Sequence, residues 1–293
     1  QYNVSGPFAD MLNNNYDSLD TRLQNFYLKM KNIPAYYQAA EKNIKNPTIE
    51  HTQLAISQNL GGLSVFQTNF LTALTKSHFS DTEKKAMQTR ATQAVTAIKQ
   101  FTDWLTHFDN KTPRSFRLGK ELYVKKFDFD IQSGYTIDEI YEKALTHKTE
   151  LHQKMFALAN QLWSKYMANA PKPNDSLTLI HQVIDKISLN HVKPDSFQTA
   201  IEQEIPKLIN FIKEKNLIYI DPSKPLVIRK EPAYMAGVAG ASISAPGPYD
   251  KNGNTYYNVG GFNGWSKERI ESYLREYNNY ILQILCIHEA IPG

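Results

Sequence analysis

Apolar positions through the first two thirds of the chain recur at three-, four- and seven-residue intervals, the spacing of one face of an α-helix. Phe8, Leu12, Leu19, Leu23, Phe26, Tyr27 and Met30 form the first such series, with Pro7 suited to the first turn, and they predict one amphipathic helix. Three further helices are announced by an acceptor residue followed three positions later by Glu or Gln: Ser80 with Glu83, Thr136 with Glu139, and Asp195 with Gln198. The stripe after Thr136 is Ile140, Ala144, His147, Leu151, Met155, Leu158 and Leu162; the one after Asp195 is Ile201, Ile205, Leu208 and Phe211 or Ile212. Breaks are expected near Asn46-Pro47, between Asn110 and Pro113, between Ala170 and Pro173, and between His191 and Pro194.

From Asn216 the pattern changes. Leu217 to Ile220, Leu226 to Ile228 and Thr255 to Val259 are short apolar or β-branched runs bounded by proline or glycine, and they predict strands. Ala233 to Pro248, rich in small residues, is expected to be a loop that packs closely; its Gly237-Val238-Ala239-Gly240 lacks the spacing of a dinucleotide fingerprint. Ser266 then caps a last long helix, with Gly260, Gly261 and Gly264 serving the tight turn into it. The expected fold is mainly α, a multi-helix array with a small β-sheet insertion near residues 217–260, forming one wall of a cleft. Its expected organisation is one fragment of a larger catalytic domain: helices over 1–215, a β subdomain over 216–265 and the start of a motif helix over 266–293.

In the last helix Ile270, Tyr273, Leu274, Tyr277, Ile281, Ile284 and Leu285 mark one face, and His288 continues the series. Eighteen residues at ~100° each make five turns, which predicts His288 directly above Ile270 within a buried stripe. Glu289 follows it, so an imidazole and a carboxylate enter the same poorly solvated region. A divalent metal would compensate both, and His-Glu on a buried helix is how zinc peptidases begin their site: the imidazole binds metal and the glutamate takes a proton from the attacking water. The plain alternative is a core histidine satisfied by one hydrogen bond. The common HExxH spacing also fails, because the position four after His288 is Pro292, where the helix must kink or end.

Composition narrows the partners. Among 293 residues Lys plus Arg number 33 and Asp plus Glu 29, a formal charge of +4 with no basic run, so nucleic acid is not an expected partner. No stretch approaches ~18 consecutive apolar residues, so no transmembrane segment is expected. One cysteine, Cys286, excludes an intrachain disulfide framework and is read as a buried, inert thiol. His147 and His152 are five apart, about 140° around a helix, and do not chelate together from one face.

The sequence resembles the bacterial DUF885 family. The resemblance is carried by Leu118-Gly119-Lys120-Glu121-Leu122-Tyr123, Thr136-Ile137-Asp138-Glu139-Ile140-Tyr141, Tyr256-Tyr257-Asn258-Val259 and above all His288-Glu289-Ala290-Ile291-Pro292-Gly293. In that family the last motif runs His-Glu-Ala-x-Pro-Gly-His, so the proline is expected and the next histidine would follow Gly293. The resemblance implies a distant branch of helical zinc metallopeptidases, a protein longer at both ends, His288 as a zinc ligand and Glu289 as general base. It also implies a later Glu-Gly-Trp motif supplying another ligand, and export from the cytoplasm. Since a catalytic zinc takes three protein ligands, residues 1–293 alone are expected neither to hold zinc tightly nor to hydrolyse anything.

The implied substrate is a peptide or small amide. An exposed edge strand beside the motif helix would align it, which makes Tyr257 and Asn258 candidate substrate contacts, a phenol for the oxyanion and an amide donor. The plain alternative makes them ordinary strand residues. Two rival functions stand beside the peptidase: a non-catalytic binding or scaffold protein with a structural His288–Glu289 pair, and a metal hydrolase of non-peptide amides or esters.

Overall fold

The computed structural model describes residues 2–224, 226–235, 240–247, 249 and 253–291. Among these residues the fold is mainly α with one small three-stranded sheet. Contacts divide the chain into two compact units, the first made of Gln1–Phe116, Ile209–Gly261 and Glu289–Gly293, the second of Arg117–Leu208 and Phe262–His288.

The first unit opens with α1 (Ser5–Asn13) and α2 (Leu19–Met30), where the apolar spacing predicts a single helix. The interruption has a local cause. Ser18 accepts a hydrogen bond from the Thr21 amide and starts α2 afresh. The buried Arg22 guanidinium donates to the carbonyls of Met11 at 3.0 Å, Leu12 at 2.9 Å and Asp17 at 3.1 Å, satisfying acceptors that a continuous helix would have bonded itself. The apolar face survives the break: Phe8 and Phe26 meet across it with ring centroids 4.7 Å apart. α3 (Ile33–Asn43), α4 (Ile49–Gly61), a π-helical turn (Val65–Asn69), α5 (Phe70–Thr75) and α6 (Asp81–Thr106) complete the helical core.

The Ser80–Glu83 capping box of α6 forms as expected, and so does the Thr136–Glu139 box of α8 (Ile137–Met167). Hydrogen bonds from the capped residues hold both glutamates below the ordinary carboxylate pKa. A depressed acid stabilises the fold above its unfolded pKa, and that contribution is lost as pH falls through the folded value. Amide-exchange protection in the first turns of α6 and α8 is therefore expected to fall between about pH 5 and 3 by more than in their centres, after correction for intrinsic rates. Equal loss along both helices would contradict it.

The sheet also belongs to the first unit: β1 (Val227–Lys230), β2 (Ala241–Ser244) and β3 (Tyr256–Val259), in the order β1-β3-β2. β1 runs parallel to β3, with Val227 opposite Tyr256 and Arg229 opposite Asn258; β2 pairs antiparallel, with Ser242 opposite Asn258. Two expectations change here. Leu217 to Ile220 is not a strand; Asn216, at φ 50°, ends the preceding helix and the Leu217 amide folds back onto the Ile212 carbonyl. β2 arises instead within the small-residue stretch, where Ala241 is buried and the serines face Asn258. Gly237, Val238 and Ala239 lie outside the described residues.

The second unit holds α7 (Lys120–Ile131), α8 (Ile137–Met167), α9 (Ser176–Ser188), the start of α10 (Phe197–Lys215), α11 (Lys267–Glu276) and α12 (Asn279–Glu289) up to His288. α8 and α9 pack through Ala159, Trp163, Leu179, Ile180 and Val183. The expected box at Asp195 does not form: Asp195 lies in a 3₁₀ turn (Pro194–Ser196), and the Gln198 amide turns to Glu202.

The predicted last helix is also two helices. Ser266 caps α11 as expected, but α11 ends before Tyr277. Asn278 then accepts from the amides of Tyr280 at 3.1 Å and Ile281 at 3.4 Å, and donates to the Arg275 carbonyl at 2.9 Å, so one side chain closes α11 and starts α12.

Candidate functional site

The break at Asn278 resets the face on which His288 falls. Leu282 and Cys286 are the buried positions of α12, and the flanking Asn278 and Ala290 continue their four-residue spacing. His288 is two residues past Cys286, roughly 200° around the helix, and its side chain is exposed. The expectation of a buried imidazole is therefore corrected, because the stripe counted from Ile270 does not continue through a second, separately capped helix. Glu289, flanking the buried face, is half-buried, and Cys286 is fully buried.

β3 is the central strand, so the expectation of an exposed edge at Tyr256 to Val259 is corrected as well. Its main chain is paired on both sides, and β1 and β2 are the outer strands. Tyr257 is 0% exposed, which takes its ring out of any cleft. Asn258, also 0% exposed, accepts from Arg229 Nε at 2.7 Å and donates to Ser244 Oγ at 2.9 Å and Ser242 Oγ at 3.3 Å. One amide thus joins all three strands. Turning out of β3, Gly260 approaches so closely that a Cβ there would stand 2.8 Å from the Gly240 carbonyl oxygen.

Arg229 is the residue that this network presents. Its guanidinium lies 3.9 Å over the Tyr256 ring, half-buried, at the wall of a cavity of about 590 Å³ in the first unit. Asn3, Asp10, Tyr234 and Asn254 line the same cavity. Asp10 is exposed at the cavity mouth; its partial desolvation raises the carboxyl above its ordinary pKa and the Arg229 charge partly offsets this, while burial raises Tyr234 and the neighbouring Glu231. Among the described residues, no group of three or more His, Cys, Asp or Glu side chains is arranged to hold a metal ion.

The profile of the family described as "Bacterial protein of unknown function (DUF885)" matches residues 2–293. The chain belongs to this family. A solved structure described as "a putative lipoprotein of unknown function" from Shewanella oneidensis is 49% identical and superposes with a TM-score of 0.69 over 100% of this chain. The match covers 53% of that relative, so the DUF885 chain described here spans about half its length. Comparison with curated proteins gives no match.

In this DUF885 chain His147 and His152 have local partners. His147 Nδ1 is 3.5 Å from Glu150, and His152 Nε2 is 3.2 Å from Ser176 Oγ. Both line an apolar cavity of about 710 Å³ between α8 and α9, with Leu151, Met155 and Ile184. Sequence reasoning missed Asp10, Arg229 and Tyr234. The available signal was Arg229 itself, a charge closing the apolar run Leu226-Val227-Ile228, but its partners lie far along the chain.

Proposed function

We propose that the intact protein is a zinc-dependent hydrolase, acting on a peptide or small amide, in which His288 is a metal ligand and Glu289 the general base. The observation that carries this reading is the last turn of α12: an exposed imidazole next to a half-buried carboxylate, beside a helix face anchored by Cys286 and Ala290. The fit to zinc is partial. One imidazole answers one of the three protein ligands that a catalytic zinc takes, so the reading requires further donors outside the described residues. Zinc bound there would supply Lewis-acid polarisation of the scissile carbonyl. Glu289 accepts the proton of the attacking water and returns it to the leaving amine. Asn258 serves this protein indirectly, by fixing Arg229, rather than by touching substrate.

Export accompanies this proposal, supported by the lipoprotein description of the Shewanella relative. No described helix is long and apolar enough to cross a membrane.

The test is metal analysis of the intact protein. Approximately one zinc per chain is expected for the native sequence, with His288→Ala reducing occupancy at least tenfold at the same free zinc, since losing a ligand weakens a site by more than losing a group that merely hydrogen-bonds to a ligand. Absence of zinc from the native protein would leave His288 and Glu289 as a structural pair.

A further inference from the structure

We infer that the cavity between α1 and the sheet in the first unit is a recognition site for a small zwitterionic ligand of the dipeptide class, its carboxylate held by Arg229 and its ammonium facing Asp10. The inference stands apart from the zinc reading, since it uses neither His288 nor Glu289.

Three observations converge on it. The cavity measures about 590 Å³, a size ordinary for a small-molecule site, and its lining mixes polar and apolar groups. Arg229 is pre-organised: Nε is tied to the buried Asn258 at 2.7 Å and the planar face rests on Tyr256 at 3.9 Å. A guanidinium fixed along one edge and one face has lost its rotamer freedom before a ligand arrives, and its fork geometry matches a carboxylate with two parallel hydrogen bonds.

The third observation is the placement of Asp10. It feels the Arg229 charge across the cavity, yet among the described residues it forms no ion pair within 4.0 Å. It also lies in the C-terminal half of α1, where the helix dipole disfavours an acid. Asp10 is exposed, so water solvates its carboxylate in the free protein, and it shares one cavity with the half-buried Arg229 guanidinium without an ion pair between them. A ligand bearing both charges would pair with each. A phosphate or dicarboxylate would set an anionic end against Asp10, and a purely apolar ligand would desolvate the half-buried Arg229 charge without pairing it. The amides of Asn3 and Asn254 and the phenols of Tyr234 and Tyr256 supply donors and acceptors for the peptide unit between.

Isothermal titration of the intact protein with Ala-Ala, Ala-Ala amide and N-acetyl-Ala-Ala tests this. Ala-Ala is expected to bind at least tenfold more tightly than either capped form. Arg229→Gln is expected to abolish the preference for the free carboxylate, and Asp10→Asn the preference for the free amine. Because Arg229→Gln also frees Asn258 and can unsettle the sheet, Asp10→Asn and the two capped ligands on the native protein decide the matter alone if that variant does not fold. Repeating the native titration in chelator separates this site from the metal: unchanged binding supports it. No binding of Ala-Ala, equal binding of all three ligands, or binding abolished by chelator would overturn it.

Discussion

Glu289→Gln in the intact protein is expected to leave zinc bound and to lower kcat/KM for an amide substrate by about three orders of magnitude, within the 10²–10⁴ range typical of a lost general base. That is roughly 4 kcal/mol of transition-state stabilisation. The substitution keeps the size and hydrogen-bonding shape of the side chain, and its half-buried position on α12 has room for an amide as for a carboxylate. What the amide lacks is a lone pair basic enough to take a proton from water. His288 projects from another part of the helix surface, so metal occupancy should be indifferent to the change. Zinc stoichiometry measured beside steady-state kinetics therefore separates ligand from base. Activity within a few-fold of the native protein would remove Glu289 from the chemistry, and concurrent loss of zinc would make it a ligand instead.

The parts of this fold that were legible in the sequence are those governed by short-range chemistry. The capping boxes at Ser80 and Thr136 need only a hydroxyl and a glutamate three residues apart, and both form. Helix continuity is different. An apolar series records which face is buried, and it persists across a break when two consecutive helices pack on the same core. Arg22 and Asn278 cause such breaks through side chains that reach main-chain atoms several residues away, and neither reach is encoded in the spacing of leucines and phenylalanines. The His288 environment was misread for that reason alone; the His-Glu pair itself was visible. The cavity at Arg229 was not legible at all. It depends on the parallel register that sets Arg229 opposite Asn258, and on α1 bringing Asp10 to the same cavity from more than two hundred residues earlier.

Phe26→Ala should destabilise the first unit by about 3–5 kcal/mol, the range for deleting a large aromatic from a packed core. The ring is 0% exposed and touches three others: Phe8 edge-on at 4.7 Å, Phe66 at 5.6 Å, and Phe70 stacked at 4.5 Å with 13° between planes. Those neighbours come from α1, the π-helical turn and α5, so the cavity left behind has walls on separate elements. Each is itself pinned by other contacts, which limits collapse into the space and keeps the cost at the upper end. Phe26→Leu, which fills most of the volume, should cost about 1.5 kcal/mol or less, the loss being mainly ring contacts. The two units need not unfold together, so the measurement must report on the first. Of the three tryptophans, Trp104 lies in that unit, whereas Trp163 and Trp265 lie in the other. Urea unfolding of variants carrying Trp163→Phe and Trp265→Phe, followed by the fluorescence of Trp104, isolates the relevant transition. A fall in midpoint at constant slope, corresponding to at least about 3 kcal/mol, is expected for Phe26→Ala. A loss under about 1 kcal/mol would mean that α1, α5 and the π-helical turn close over the gap, and that the four rings are neighbours rather than the anchor of this core.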